Sequence, residues 1–202
     1  MKTRSVVLYQ VGCPAPYVAS RPLVVEELEL EGPAPGEVLV EVAAAGVCHS
    51  DLSVVDGTRP RPTPMVLGHE AAGIVREVGE GVRDLQPGDH VVFSFVPSCG
   101  RCSYCRDGAP ALCEPGSRAN AQGTLLGGHR RFYRRGMGYF YHHLGVSAFS
   151  QFTVVARESL VPIPDDIPLA KAALFGCAVV TGVGAVLNTA RVSPGRSVAI
   201  FG

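Results

Sequence analysis

Seven cysteines lie along the 202 residues, and four of them crowd into one short stretch. Cys99, Cys102, Cys105 and Cys113 form the pattern C-x2-C-x2-C-x7-C. Two-residue gaps let neighbouring thiolates converge on one ion, and four thiolates complete the closed tetrahedral shell of a structural zinc. Bacterial ferredoxins also use C-x2-C-x2-C, but there the fourth cysteine follows sooner and precedes proline. Here Cys113 follows a longer gap and precedes Glu114, a spacing that favours zinc over an iron–sulfur cluster.

Three further residues stand in suggestive contexts. Cys48 lies in Gly46-Val47-Cys48-His49-Ser50-Asp51, His69 in Gly68-His69-Glu70, and Cys177 in Phe175-Gly176-Cys177-Ala178. Singly, each has a plain structural reading, because a lone cysteine behaves as a small buried hydrophobe. Their order, with the four-cysteine stretch between the second and third, raises them together as a second ligand set. Cys13 has no assigned partner and reads as a free thiol.

These groups need elements to hold them. Residues 5–11 and 23–30 read as short strands, and 38–42 alternates apolar and acidic residues as a half-buried strand does. Further strands are expected at 71–78, 90–95, 150–156 and 160–163, with turns at Gly79-Glu80-Gly81 and Pro87-Gly88-Asp89. Short strands with frequent turns suggest a small barrel or sandwich. Residues 97–150 have little periodicity and look like a lobe held by something other than a core. After Pro168 the pattern suits a helix over 168–174, a second over 181–190, and a buried strand over 197–201.

Composition limits the functional classes. Hydrophobic residues make up 47% and charged residues 18%, so a packed core is expected. Lys plus Arg and Asp plus Glu both number 18, which removes the electrostatic argument for nucleic acid or an anionic membrane. The local exception, Arg130, Arg131, Arg134 and Arg135, reads as a solvated loop. No apolar run approaches the roughly 20 residues of a membrane span. Val6 to Tyr9 is too brief for a signal sequence, so the cytoplasm is expected.

Gly68-His69-Glu70 with Ala71-Ala72-Gly73-Ile74-Val75, then Pro87-Gly88-Asp89-His90-Val91, the four cysteines, and Gly176-Cys177 before two helices form a specific series. Together they resemble the zinc-dependent medium-chain alcohol dehydrogenases over essentially the whole chain. His142 to Phe152 resembles the branch that includes class III, glutathione-dependent formaldehyde dehydrogenases. The resemblance implies a mainly β fold, with a GroES-like, partly open β-barrel catalytic domain over 1–176 and a structural zinc lobe at 97–115. It places the start of a truncated Rossmann nucleotide-binding domain at 177–202, ending in its first strand.

Residue by residue, the resemblance makes Cys48, His69 and Cys177 the ligands of a catalytic zinc, a set generally described for alcohol dehydrogenase. Ser50 would pass the hydroxyl proton outward. Asp51 would orient His69, and Glu70 would lie behind the metal. His49, Thr181 and Gly202 would meet the cofactor, and Phe95 would wall the substrate pocket. Ser53 departs from the pattern, since some members carry a proton-relaying histidine there. The reaction implied is interconversion of alcohols with aldehydes or ketones by hydride transfer with NAD, NADP not being excluded. Two zinc ions per chain, a small-molecule substrate and a homodimer or homotetramer complete the expectation. A non-enzymatic, zinc-stabilised barrel acting as a binding module is the alternative, and a zinc-free quinone reductase relative a third reading; the trio Cys48, His69 and Cys177 argues against both. Only the first glycine of a Gly-x-Gly-x-x-Gly turn is present, at Gly202, so the chain reads as a fragment that alone binds neither nucleotide tightly and is inactive.

Overall fold

The computed structural model describes residues 1–201. Its strands are β1 (Lys2–Leu8), β2 (Leu23–Leu30), β3 (Glu37–Ala45), β4 (Met65–Val66), β5 (Ala71–Val78), β6 (His90–Phe93), β7 (Phe132–Arg134), β8 (Gly138–Tyr139), β9 (Tyr141–His142), β10 (Phe152–Ala156) and β11 (Leu160–Ile163). They form a six-stranded sheet ordered β8-β7-β2-β1-β4-β9 and a five-stranded sheet ordered β10-β3-β5-β6-β11. The sheets meet along a seam where β1 passes residues 149–151. Val6 N–H donates to the Phe149 carbonyl at 2.7 Å and Gln151 N–H to Arg4 at 3.0 Å. The Ser5 and Ser150 hydroxyls meet at 2.8 Å inside it. The fold is thus mainly β and nearly closed into a barrel.

Six short α-helices are interspersed among these strands: α1 (Tyr17–Ser20), α2 (His49–Val55), α3 (Ser103–Arg106), α4 (Glu114–Gln122), α5 (Leu169–Ala172) and α6 (Ala178–Gly184), counted among the described residues. Among the described residues, no single helix is long and apolar enough to cross a membrane.

The expected strands at 23–30, 71–78 and 160–163 have the observed limits, whereas β1 starts and ends three residues earlier than 5–11. The β3 strand is longer than 38–42 and is buried on both faces at its start. Val38 and Val40 join one core cluster while Leu39, between them, joins another. Alternation describes a half-buried strand; a strand between two apolar layers reads as a continuous run. Register shifts between Leu39 and Val40, and again between Val42 and Ala44, bend β3 against β5. Gly73 allows that bend, because a Cβ there would stand 2.3 Å from the Glu41 carbonyl oxygen.

The region 97–150 corrects the expectation of a coreless lobe. Leu125, Phe132 and Phe140 pack into one cluster with Val7, Leu28 and Leu30, and Val146 and Ala148 pack into the other. The arginine stretch is likewise not simply solvated. Arg131 donates from Nε to the buried Glu37 carboxylate at 2.7 Å, Arg134 pairs with Glu26, and Arg130 stacks over the Tyr141 ring at 4.7 Å.

After Pro168, α5 passes into a 3-10 turn over Ala173–Gly176, and α6 begins at Ala178, three residues before the expected start. Its continuation, Ala185–Thr189, is a π-type turn. The expected strand over 197–201 is not formed, and Ile200 and Phe201 are exposed. A strand is stabilised by a neighbour's ladder, and none lies beside this segment among the described residues.

Candidate active site and metal centres

The loop from β3 delivers Cys48 as the N-cap of α2. Its sulfur accepts from the Ser50 N–H at 3.5 Å, while Asp51 Oδ2 accepts from the Cys48 N–H at 3.2 Å. That reciprocal pair is a capping box with sulfur in place of a hydroxyl. His69 follows Gly68, whose φ of 93° and a space that would put a Cβ 2.4 Å from the Phe149 nitrogen both call for glycine. Cys177 sits at the break between the 3-10 turn and α6, with φ −145° and ψ −68°.

These three elements bring Cys48, His69 and Cys177 together, with their ligand atoms all within 4.8 Å of one another. The two sulfurs are 4.0 Å apart. His69 Nδ1 is 3.1 Å from Asp51 Oδ1, which leaves Nε2 as the nitrogen free for a metal. Burial acts to lower the His69 pKa, but the bond to Asp51 and its charge outweigh burial and raise it. Burial acts upward on Asp51, yet His143 and His69 hold its carboxyl far below the usual range.

Burial disfavours the Cys48 thiolate, but donations from Ser50 and the nearby His69 bring its pKa below that of a free thiol. Burial, and then the Cys48 charge, push Cys177 up to about 11. Two thiols so close share one negative charge unless a cation lies between them; a divalent ion would favour both thiolates. This donor set fits a zinc ion with one open position.

Cys99, Cys102, Cys105 and Cys113 also converge, within the same 4.8 Å limit. Backbone N–H groups point at the sulfurs: Cys99 N–H at Cys113 (3.2 Å), Cys102 N–H at Cys99 (3.3 Å) and Gly116 N–H at Cys113 (3.4 Å). The Arg101 and Cys102 N–H groups lower Cys99 to about 6, whereas desolvation and then Cys102 push Cys105 up to about 12. Four sulfurs whose charges oppose one another fit a closed cation site.

A cleft of about 490 Å³ is lined by Cys48, His69 and Cys177 together with Ser50, Phe95, His143 and Thr181, among others. Phe95 stacks edge-on against His69 with ring centroids 5.4 Å apart. Buried Glu70 accepts the Ala178 N–H at 3.0 Å, and a Cβ on Gly46 would lie 2.7 Å from its carboxylate. His49 is exposed and lies outside the cleft lining, with Nδ1 3.3 Å from the Ser53 hydroxyl. Gly202 lies outside the described residues.

One residue of the site is missing from the sequence-derived set. His143 is buried, and its Nδ1 stands 3.2 Å from Asp51 Oδ1, at ion-pair distance without hydrogen-bond alignment. Its ring packs edge-on against His69. The paired histidines at 142–143, inside the segment that carried the branch resemblance, were the available signal.

A barrel of this topology carrying these two ligand sets defines a class, and the sequence comparison agrees with it. The chain belongs to the alcohol dehydrogenase GroES-like domain family, whose model matches residues 34–165. It is 44% identical over its whole length to an S-(hydroxymethyl)glutathione dehydrogenase of Synechocystis sp., of which it covers 53%. Among solved structures it is similar to an alcohol dehydrogenase zinc-binding domain protein from Burkholderia ambifaria, with TM-score 0.83, 32% identity, and 94% of this chain and 49% of that one covered. It is also similar to benzyl alcohol dehydrogenase from Acinetobacter calcoaceticus, with TM-score 0.82, 32% identity, and 96% and 50% covered. The chain therefore spans about half the length of the relatives it matches.

Proposed function

We propose that this chain is the zinc-binding catalytic half of an alcohol dehydrogenase that interconverts alcohols and aldehydes or ketones with NAD or NADP. The observation that carries the reading is the meeting of Cys48, His69 and Cys177 in the wall of one cleft, with Asp51 on the far nitrogen of His69. A scaffold barrel needs only the four-cysteine site, so the second ligand set supports an enzyme over a binding module.

In this reading Cys99, Cys102, Cys105 and Cys113 hold a structural zinc, and Cys48, His69 and Cys177 a catalytic one. When bound, zinc supplies Lewis acidity toward an alcohol or carbonyl oxygen and the nicotinamide supplies hydride transfer. The chain's own residues arrange the rest. Asp51 fixes the His69 tautomer, and Glu70 ties the Cys48 loop, β5 and α6 together behind the ligands. Ser50, half-buried in the cleft wall, takes the proton from the substrate hydroxyl, and Phe95 gives the substrate an apolar wall. Thr181 faces the nicotinamide, and exposed His49 is assigned to the cofactor pyrophosphate. A homodimer or homotetramer in a reducing compartment such as the cytoplasm suits a chain whose cysteines are set out as ligands.

Elemental analysis together with nucleotide-linked alcohol oxidation, measured on the protein as the cell makes it, tests the reading. Two zinc ions per chain and turnover of alcohols, with S-(hydroxymethyl)glutathione included because the relatives bear its name, is the expected result. Full zinc occupancy with no turnover of any alcohol by either nucleotide returns the barrel to a binding role.

A further inference from the structure

His143 is a buried side chain in the cleft wall to which the proposed chemistry gives no task. The parallel pairing of β9 with β4 delivers it, and its backbone N–H is shared by the Val66 carbonyl at 3.2 Å and the Ser147 hydroxyl at 3.0 Å. That hydroxyl in turn donates to the Val66 carbonyl at 2.8 Å. The chain leaves through a tight turn in which Leu144 (φ 52°), Gly145 (φ 67°) and Ser147 (φ 51°) are left-handed. Residues other than glycine hold that conformation only where their surroundings over-determine it. The backbone on both sides of His143 is therefore fixed.

The ring is fixed as well. It packs edge-on against His69, with centroids 5.5 Å apart. Its Nδ1 is enclosed and stands 3.2 Å from Asp51 Oδ1. A lone pair on Nδ1 would face those of the carboxylate, so Nδ1 carries the hydrogen. Burial lowers the pKa of this ring against the upward pull of Asp51, which keeps it neutral. A neutral imidazole with its hydrogen on Nδ1 has an acceptor lone pair on Nε2. Nε2 is not enclosed and has no hydrogen-bond partner among the described residues. Phe95, Val96 and Leu144, which line the same cleft, offer it none. A ligand that covers such an acceptor with carbon is penalised, and one that brings a hydroxyl is not.

We propose that His143 is a specificity-determining residue whose Nε2 accepts a hydrogen bond from a second hydroxyl of the substrate, which selects short diols over plain alcohols. The reacting hydroxyl in this statement rests on the dehydrogenase reading; the acceptor does not. Because His143 and His69 pack ring against ring, the accepted hydroxyl and the reacting one belong to adjacent or next-adjacent carbons.

The test compares ethylene glycol with propanol, and trimethylene glycol with butanol, on the zinc-loaded protein as the cell makes it. Each pair exchanges one hydroxyl for a methyl of similar size. The diol of at least one pair should be favoured by roughly 10–100-fold in kcat/KM, the effect of leaving a site's polar group unpaired. The advantage should lie in KM, because the second hydroxyl is bound alike before and during reaction. His143→Phe should bring the ratio close to one, and His143→Gln, which keeps an acceptor, should retain part of it. Nitrogen NMR of the histidine side chains needs no variant and stands if His143→Phe fails to fold. It should show Nε2 of His143 without hydrogen, with a resonance that moves on adding ethylene glycol and not propanol. Equal kcat/KM within both pairs, a ratio that survives His143→Phe, or a hydrogen on Nε2 overturns the proposal. A glycol-specific shift at Nε2 without turnover of any alcohol keeps the acceptor site and removes the dehydrogenase reading. Turnover without diol preference or shift does the reverse.

Discussion

His69 Nδ1 stands 3.1 Å from Asp51 Oδ1, and both side chains are almost wholly buried. The same carboxylate closes the capping box on Cys48 through its other oxygen. One acid thus holds two of the three candidate ligands. Asp51→Asn should lower affinity at the Cys48–His69–Cys177 site by about 10–100-fold, the usual effect of losing an outer partner of a ligating histidine. Zinc competition against a chelator measures it, with the four-cysteine site as internal control. Equal loss at both sites would mean that Asp51 acts on the fold and not on the imidazole.

The two cysteine sites should separate by readout. Cys48→Ser retains a capping side chain at α2 and should abolish turnover with little change in the thermal midpoint. Cys113→Ser should instead lower the midpoint and release zinc, because Cys113 is buried, caps α4 and accepts two N–H groups. A four-cysteine variant of wild-type stability would contradict a structural role.

Ser50→Ala should slow alcohol oxidation by about 10²–10⁴-fold, the range of a general acid–base step. Zinc content should not change, since Ser50 reaches Cys48 through its backbone N–H, which alanine keeps. Unchanged rates from pH 6 to pH 9, roughly the span over which such a step responds, would reduce Ser50 to a turn residue.

His142 supplies a pH prediction independent of the metal. Burial, and then the Arg131 and Arg130 charges, hold it near 3 against an ordinary 6.5. Its Nε2 accepts the Arg131 N–H at 3.1 Å, so the folded protein keeps it neutral. An unfolded chain takes up a proton below 6.5 that the folded one refuses. Stability is therefore fully present above that pH and falls as pH drops toward 3, by at most about 1.4 kcal/mol per pH unit for one proton. In denaturant melts His142→Asn should flatten that slope. A variant with the wild-type acid slope would place the titration elsewhere.

Spacing marks the four cysteines as one set, whereas Cys48, His69 and Cys177 are singled out by their order and the family resemblance; the structure brings each set within 4.8 Å. Local pattern fails where helices depend on tertiary support. His49-Ser50-Asp51-Leu52-Ser53-Val54-Val55 has little helix propensity, and its cap is a cysteine, not serine or aspartate. Glu114-Pro115-Gly116 looks like a loop, yet α4 starts there because Cys113 caps it. Between 97 and 150 the core residues are spaced by turns and very short strands, too short for periodicity to register. The place of His143 in the site depends on meeting Asp51, which lies far from it along the chain, a contact invisible to local pattern.

The ligands also differ in how far apart they lie along the chain. Cys99 and Cys113, which close one site, are 14 positions apart, whereas Cys48 and Cys177 are separated by 129. As a ribosome releases the chain from its amino end, the four-thiolate loop can fill while the segment bearing Cys177 has yet to be translated. Bringing distant ends together also costs more loop entropy than closing a short turn. On the proposed reading, the four-cysteine site can therefore fill first during synthesis, and the Cys48–His69–Cys177 site can close only after the segment bearing Cys177 has emerged.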